Sequence, residues 1–220
     1  MMQATGLRYR YGPGQAELCF DDFQAEAGQT LLLHGPSGSG KSTLLALLAG
    51  LLSPSAGQLR VAGAELGRMS PRARDAWRGE HIGFVPQRLH LAEGLSVRDN
   101  LAMPFVAAGR PVDTARISGL LQRLGLAGLE ARRPAALSVG QAQRVALARA
   151  VLRQPRWILA DEPTAHLDDV AAAAALTLLD EVARDTGAGL LIATHDRRLA
   201  EHLPQARVQV LRAAQAGGLA

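Results

Sequence analysis

The chain has one cysteine, one lysine and few aromatic rings, and each shortage narrows what it can be. A single Cys19 in 220 residues excludes an internal disulfide framework and fits a reducing compartment. Set between Leu18 and Phe20, it reads as a small buried hydrophobe. The longest apolar run, residues 44–52, is about half of the ~20 residues that a membrane-spanning helix needs. No N-terminal leader pattern is present. The sequence therefore predicts a cytoplasmic chain, reaching a membrane only through a partner. Basic blocks are absent too: the net charge is +4 and the isoelectric point about 10.1, but the arginines are scattered and form no basic arm. Nucleic acid is not expected as a partner.

What is there is ordinary for a globular enzyme: 48% hydrophobic and 20% charged residues, in a length that supports one core with a smaller lobe. Strands are expected over residues 18–25, 30–33, 58–61, 81–85, 156–160, 189–193 and 207–211. A helical run over 42–52 follows a glycine-rich loop. Residues 96–153 read almost wholly as helix, with N-caps at Ser96, Asp113 and Ser138 and breaks near Pro111, Gly125 and Pro134. A further long helix is expected from about Asp168. The pattern predicts a single α/β domain whose core lobe, 1–87 and 155–220, is interrupted by a helical lobe, 88–154.

Gly35, Pro36, Ser37, Gly38, Ser39, Gly40, Lys41 and Ser42 match the P-loop pattern, between an expected strand and an expected helix. Glycines there let the backbone curl so that successive N–H groups face phosphate oxygens, and the following helix adds its positive end. Lys41, the one lysine, supplies a point charge for the β- and γ-phosphates, and the Ser42 hydroxyl a ligand for Mg²⁺. Farther on, an apolar strand ends in Asp161 and Glu162. A buried strand has no structural need of two carboxylates. Asp161 is placed to hold Mg²⁺ through water, and Glu162 to orient and deprotonate an attacking water. Among the histidines, His34, His81, His90 and His202 show no ligand spacing.

The remaining motifs carry a resemblance. The run Leu137-Ser138-Val139-Gly140-Gln141-Ala142-Gln143-Arg144 resembles the signature motif of ABC ATPases. Gln87 resembles the Q-loop, Ala165-His166-Leu167-Asp168 the D-loop, and His195 in Ala-Thr-His-Asp the switch histidine. Tyr11, before Gly12, resembles the aromatic residue that stacks on adenine, with Tyr9 as a competitor. The motifs stand in the family's order and cover nearly the whole chain.

The resemblance implies a P-loop NTPase with a RecA-like core, an N-terminal antiparallel β-subdomain and a helical ABC-specific subdomain. It implies ATP and Mg²⁺ as cofactors, with Thr43 also at the nucleotide and Gln87 also at the metal. Glu162, His195 and Lys41 would be catalytic. Ser138, Gly140 and Gln141, at the start of a helix, would face the γ-phosphate held by a second copy or a related chain, with Asp168 at the same interface. Val139 stands where the family has glycine, so the backbone there cannot require a positive φ.

Residues 79–87, with Asp99-Asn100-Leu101, Pro104 and Leu159-Ala160-Asp161-Glu162-Pro163-Thr164, resemble the LolD/MacB/FtsE-like branch, which serves lipoprotein release, macrolide-type efflux and cell division. That branch implies a transmembrane permease partner, met near residues 88–104. Small-solute importers share much of the pattern and stand as the alternative. A soluble ABC ATPase of DNA repair or translation would add a coiled-coil insertion, a second cassette or a basic arm.

Overall fold

Continuous apolar runs in this chain become strands whose alternate residues feed two different cores. In the computed structural model, which describes residues 1–165, 167–196 and 198–211, β4 (Thr30–His34), β8 (Trp157–Asp161) and β9 (Gly189–Thr194) lie side by side in a parallel sheet. Leu31, Leu33, Trp157, Leu159, Leu191 and Ala193 face one core; Leu32, Ile158, Ala160, Leu190 and Ile192 face the other. A sheet covered on both faces needs no polar side to its strands, which is why these segments show no alternation in polarity.

The parallel sheet runs β10 (Arg207–Val210), β4, β9, β8, β7 (Ile82–Val85). Helix α1 (Lys41–Leu48) covers one face together with a second, antiparallel sheet. That sheet is built on β1 (Met2–Tyr9), which pairs with β2 (Leu18–Cys19), β3 (Phe23–Ala25) and β5 (Ala56–Val61); β6 (Ala64–Glu65) closes it on β5. Helix α2 (Pro71–His81) leads into β7.

The other face is covered by α5 (Val139–Val151) and α6 (Asp169–Thr186). A third core joins α3 (Val97–Ala107), α4 (Thr114–Arg123) and α5 through Leu101, Ile117, Leu121, Val145 and Leu152. A short α7 (Leu199–His202) precedes β10. Among the described residues, no helix is long and apolar enough to cross a membrane.

Local chemistry sets the helix starts. Ser96, Asp113, Ser138 and Asp168 are all N-caps whose side chains accept a backbone N–H three residues on. Fully buried Asn100 clamps the loop before α3, donating to the carbonyls of Ala92, Leu95 and Ser96 and accepting from the Ala92 N–H.

Three expectations are corrected. Residues 18–25 are two strands, broken at 20–22 where Phe20 turns inward and Asp22 accepts from the Gly6 N–H. Cys19 is exposed, because strand alternation puts Leu18 and Phe20 inward and leaves the thiol outside. His81 closes α2 and does not open the strand, which starts at Ile82. His166 lies outside the described residues.

Candidate active site

The site forms at the carboxyl ends of β4, β8 and β9. The P-loop leaves β4 and feeds α1, whose N-cap is Gly40 at φ 88° with no side-chain cap, leaving the first-turn N–H groups directed to the cleft. That left-handed geometry suits glycine, and Phe20 would lie 3.2 Å from any Cβ placed there. Gly35 is required for a different reason: a Cβ would sit 2.7 Å from Ser39 Oγ and 2.8 Å from the Leu211 carbonyl oxygen.

Lys41 is 6% exposed, and its Nζ donates to the carbonyls of Gly35 (2.8 Å) and Pro36 (3.0 Å). The same amine lies 3.6 Å from Glu162 Oε1. Glu162, directly after β8, has φ 46°, a left-handed conformation that costs a non-glycine residue roughly 1–2 kcal/mol. Its backbone N–H donates to the Ala193 carbonyl (2.9 Å), and its carbonyl accepts from Ala165 N–H (3.0 Å), which together hold the turn. The Glu162 carboxylate meets His195 Nδ1 at 2.8 Å through Oε1 and accepts from Thr194 Oγ1 at 3.3 Å through Oε2.

Asp161 is buried, with Oδ1 lacking any hydrogen-bond partner in the protein. Burial pushes its carboxyl pKa up; the Ser42 hydroxyl opposes this, Glu162 adds to it, and Lys41 opposes it. A desolvated carboxylate oxygen beside a serine hydroxyl is a donor set that fits a hard divalent cation such as Mg²⁺.

Tyr11, Leu18, Ser37, Gly38, Gly40, Lys41, Ser42, Thr43, Gln87, Glu162 and His195 line one open cleft of about 490 Å³. The two tyrosines separate clearly. Tyr9 packs on the core, whereas Tyr11 is 60% exposed at the cleft, its ring edge-on to Tyr9 at 4.9 Å and its hydroxyl 2.5 Å from Thr43 Oγ1. Pro36 lies in the loop beneath, its carbonyl accepting from Ser39 N–H, and Ser39 is buried.

Ser138, Gly140, Gln141 and Asp168 do not line this cleft. Ser138 and Gln141 form a capping box: Ser138 Oγ accepts from Gln141 N–H (3.2 Å), and Gln141 Oε1 accepts from Ser138 N–H (3.0 Å). Val139 is the first residue of α5, 65% exposed, and is not among the positive-φ residues. Beyond Gln87, Arg149 of α5 donates to the carbonyls of Leu89 (2.6 Å) and His90 (2.8 Å). Thr194 belongs to none of the sequence motifs; its one sequence signal is a polar residue closing an otherwise apolar strand.

A strand-borne P-loop, a buried aspartate one strand beyond its neighbour, and a glutamate gripped by lysine and histidine define a P-loop ATPase site. The ABC transporter family model matches residues 21–165, and the chain belongs to that family as an ATPase cassette. It is 43% identical over 206 residues to the macrolide export ATP-binding/permease protein MacB 1 of Aeromonas hydrophila. That match covers 91% of this chain but only 32% of the relative, so the chain spans about a third of that protein. It is 40% identical over 207 residues to the lipoprotein-releasing system ATP-binding protein LolD of Chromohalobacter salexigens, covering 92% of this chain and 87% of that one. Against LolD of Idiomarina loihiensis the identity is 42%, covering 93% and 90%. The dimeric structure of MJ0796, a bacterial ABC transporter cassette, superposes with a TM-score of 0.85 at 26% identity, over 99% of this chain and 97% of that one. The same cassette in a dimeric post-hydrolysis state bound to ADP and Pi gives the same score.

Proposed function

We propose that the chain is the ATP-hydrolysing subunit of an export or lipoprotein-release complex, working as a head-to-tail dimer that drives a transmembrane permease. The observation that carries this is Glu162, held at the mouth of the P-loop cleft between Lys41 and His195.

In this reading the backbone of residues 35–43 and the Lys41 amine bind the phosphates, and Tyr11 stacks on the adenine. Asp161, Ser42 and Gln87 hold Mg²⁺, which when bound neutralises phosphate charge. Glu162 takes a proton from a water whose oxygen bonds to the γ-phosphorus. The bond from that phosphorus to the β,γ-bridging oxygen breaks, and its electron pair leaves with ADP. His195 orients the carboxylate and meets the γ-phosphate.

Ser138, Gly140, Gln141 and Asp168 stand apart from this cleft, as expected if they complete the site of a second protomer. The dimeric relatives support that arrangement. One chain then carries two half-sites.

The names LolD and MacB support a membrane role, in which the chain sits at the inner face of the membrane through its partner. A cleft of about 670 Å³ between α2, β7, α3 and α5 offers a contact surface: Phe84, Pro104 and Ala107 supply apolar walls, and Arg149 and Arg153 stand beside the Arg110–Glu80 ion pair.

Glu162→Gln tests the reading. Turnover should be lost while ATP-dependent dimers persist, and tagged variant should retain a permease from detergent-solubilised native membranes. Hydrolysis at the parental rate would remove Glu162 from the role of base.

A further inference from the structure

Strand β9 ends on a residue that its sequence neighbours do not explain. All six residues of β9 are buried, and five of them, Gly189 to Ala193, are apolar or glycine. Thr194 is 1% exposed. Valine has the same branched shape and suits a buried strand as well, without a hydroxyl to satisfy.

The hydroxyl is satisfied twice, once by the Glu162 carboxylate and once in the turn that carries His195. It accepts from the backbone N–H of Asp196 at 3.0 Å, fixing the turn that carries His195, and donates to Glu162 Oε2 at 3.3 Å. The Thr194 carbonyl accepts from the Gly35 N–H at 3.3 Å, where the P-loop begins. One buried residue therefore touches the P-loop, the glutamate and the histidine turn. Because His195 occupies Oε1, the contact to Oε2 fixes the plane of the carboxylate as well as its position.

We propose that Thr194 is a positioning residue for ATP hydrolysis, holding the Glu162 carboxylate in the orientation from which it takes the proton of the attacking water. This rests on reading Glu162 as the base. Thr194 acts through Glu162 and need not touch nucleotide, so its loss lowers the chemical step and leaves ATP binding intact.

The experiment compares Thr194→Val, Thr194→Ser and Thr194→Ala in steady-state ATPase assays, with circular dichroism and ATP-dependent dimerisation as controls. Thr194→Val should lower kcat about tenfold, as the loss of a hydrogen bond to a charged group implies, with KM within about twofold. Thr194→Ser should keep at least about half of the parental rate, because the hydroxyl remains. On a Glu162→Gln background, adding Thr194→Val should leave ATP-dependent dimerisation within about twofold of the single variant.

An unchanged kcat in Thr194→Val, a raised KM at constant kcat, no rescue by serine, or loss of ATP-dependent dimers when Thr194→Val is added to Glu162→Gln would each overturn the assignment. Should the valine variant fail to fold, the contrast between serine and alanine decides the same question. The underlying reading fails separately: it falls if Glu162→Gln alone turns over at the parental rate, whatever the Thr194 variants do.

Discussion

Ser138 does two jobs in the proposed dimer, and a pair of substitutions separates them. As N-cap of α5 it accepts from Gln141 N–H while Gln141 returns a bond to the Ser138 N–H. Ser138→Ala removes the cap and should cost about 1 kcal/mol, lowering Tm by roughly 2–4 °C for a chain of this size. Ser138→Asp keeps the cap, since aspartate is as good an N-cap and its charge favours a helix start. Its Tm should match the parent. In the dimer, however, that carboxylate would face the partner's γ-phosphate. At a separation of about 5 Å and an effective dielectric of about 20, the repulsion is about 3 kcal/mol, roughly 200-fold, and it acts at both sites. The assay is sedimentation of both variants on the Glu162→Gln background, with and without ATP, beside thermal unfolding. Ser138→Asp should be stable and monomeric with ATP. If it dimerises at the parental concentration, Ser138 does not face the γ-phosphate, and the two-half-site reading loses its main support.

Two further outcomes follow from the cleft. Burial raises the Asp161 pKa, so its ionised form opposes folding at any pH above that pKa. Asp161→Asn should therefore raise the Tm of nucleotide-free protein near neutral pH. The gap should narrow as pH falls and the parental carboxyl takes up its proton, while Mg²⁺-dependent turnover is lost; scanning calorimetry across pH and an ATPase assay check both. Tyr11→Ala should raise KM for ATP about tenfold through lost stacking, and Tyr11→Phe should stay within about twofold of the parent, which steady-state kinetics will read directly.

The parts of the fold set by local chemistry were legible in the sequence. Ser96, Asp113, Ser138 and Asp168 announce their helices because an N-cap needs only its own side chain and the next turn. The P-loop is equally local, and the buried strands β8 and β9 stand out as unbroken apolar runs. The antiparallel sheet was not legible in the same way. Strand β1 pairs with β5 across the 46 residues between them, which include the P-loop and α1, and nothing within residues 2–9 names that partner. Helix α2 escaped because seven of its residues are Arg, Asp, Glu, His or Gly, and only Trp77 is buried, so it shows no apolar stripe. The exposure of Cys19 is not legible because a three-residue apolar run says nothing of which face turns inward. Within the site, residue types were readable and their mutual geometry was not: the left-handed turn at Glu162 and the grip of Thr194 on its carboxylate exist only once β8 and β9 lie side by side.

The segment after Gln87 is anchored at two points. Arg149 grips the carbonyls of Leu89 and His90, and Asn100 clamps the backbone around Ala92, Leu95 and Ser96. Arg149 sits in the last turn of α5, and Ser138 caps the first. A helix of 13 residues is about 20 Å long and stiff along its axis. The Leu89–His90 loop and the residues proposed to meet the second protomer's nucleotide thus stand at the two ends of one stiff helix, packed into two cores along its length.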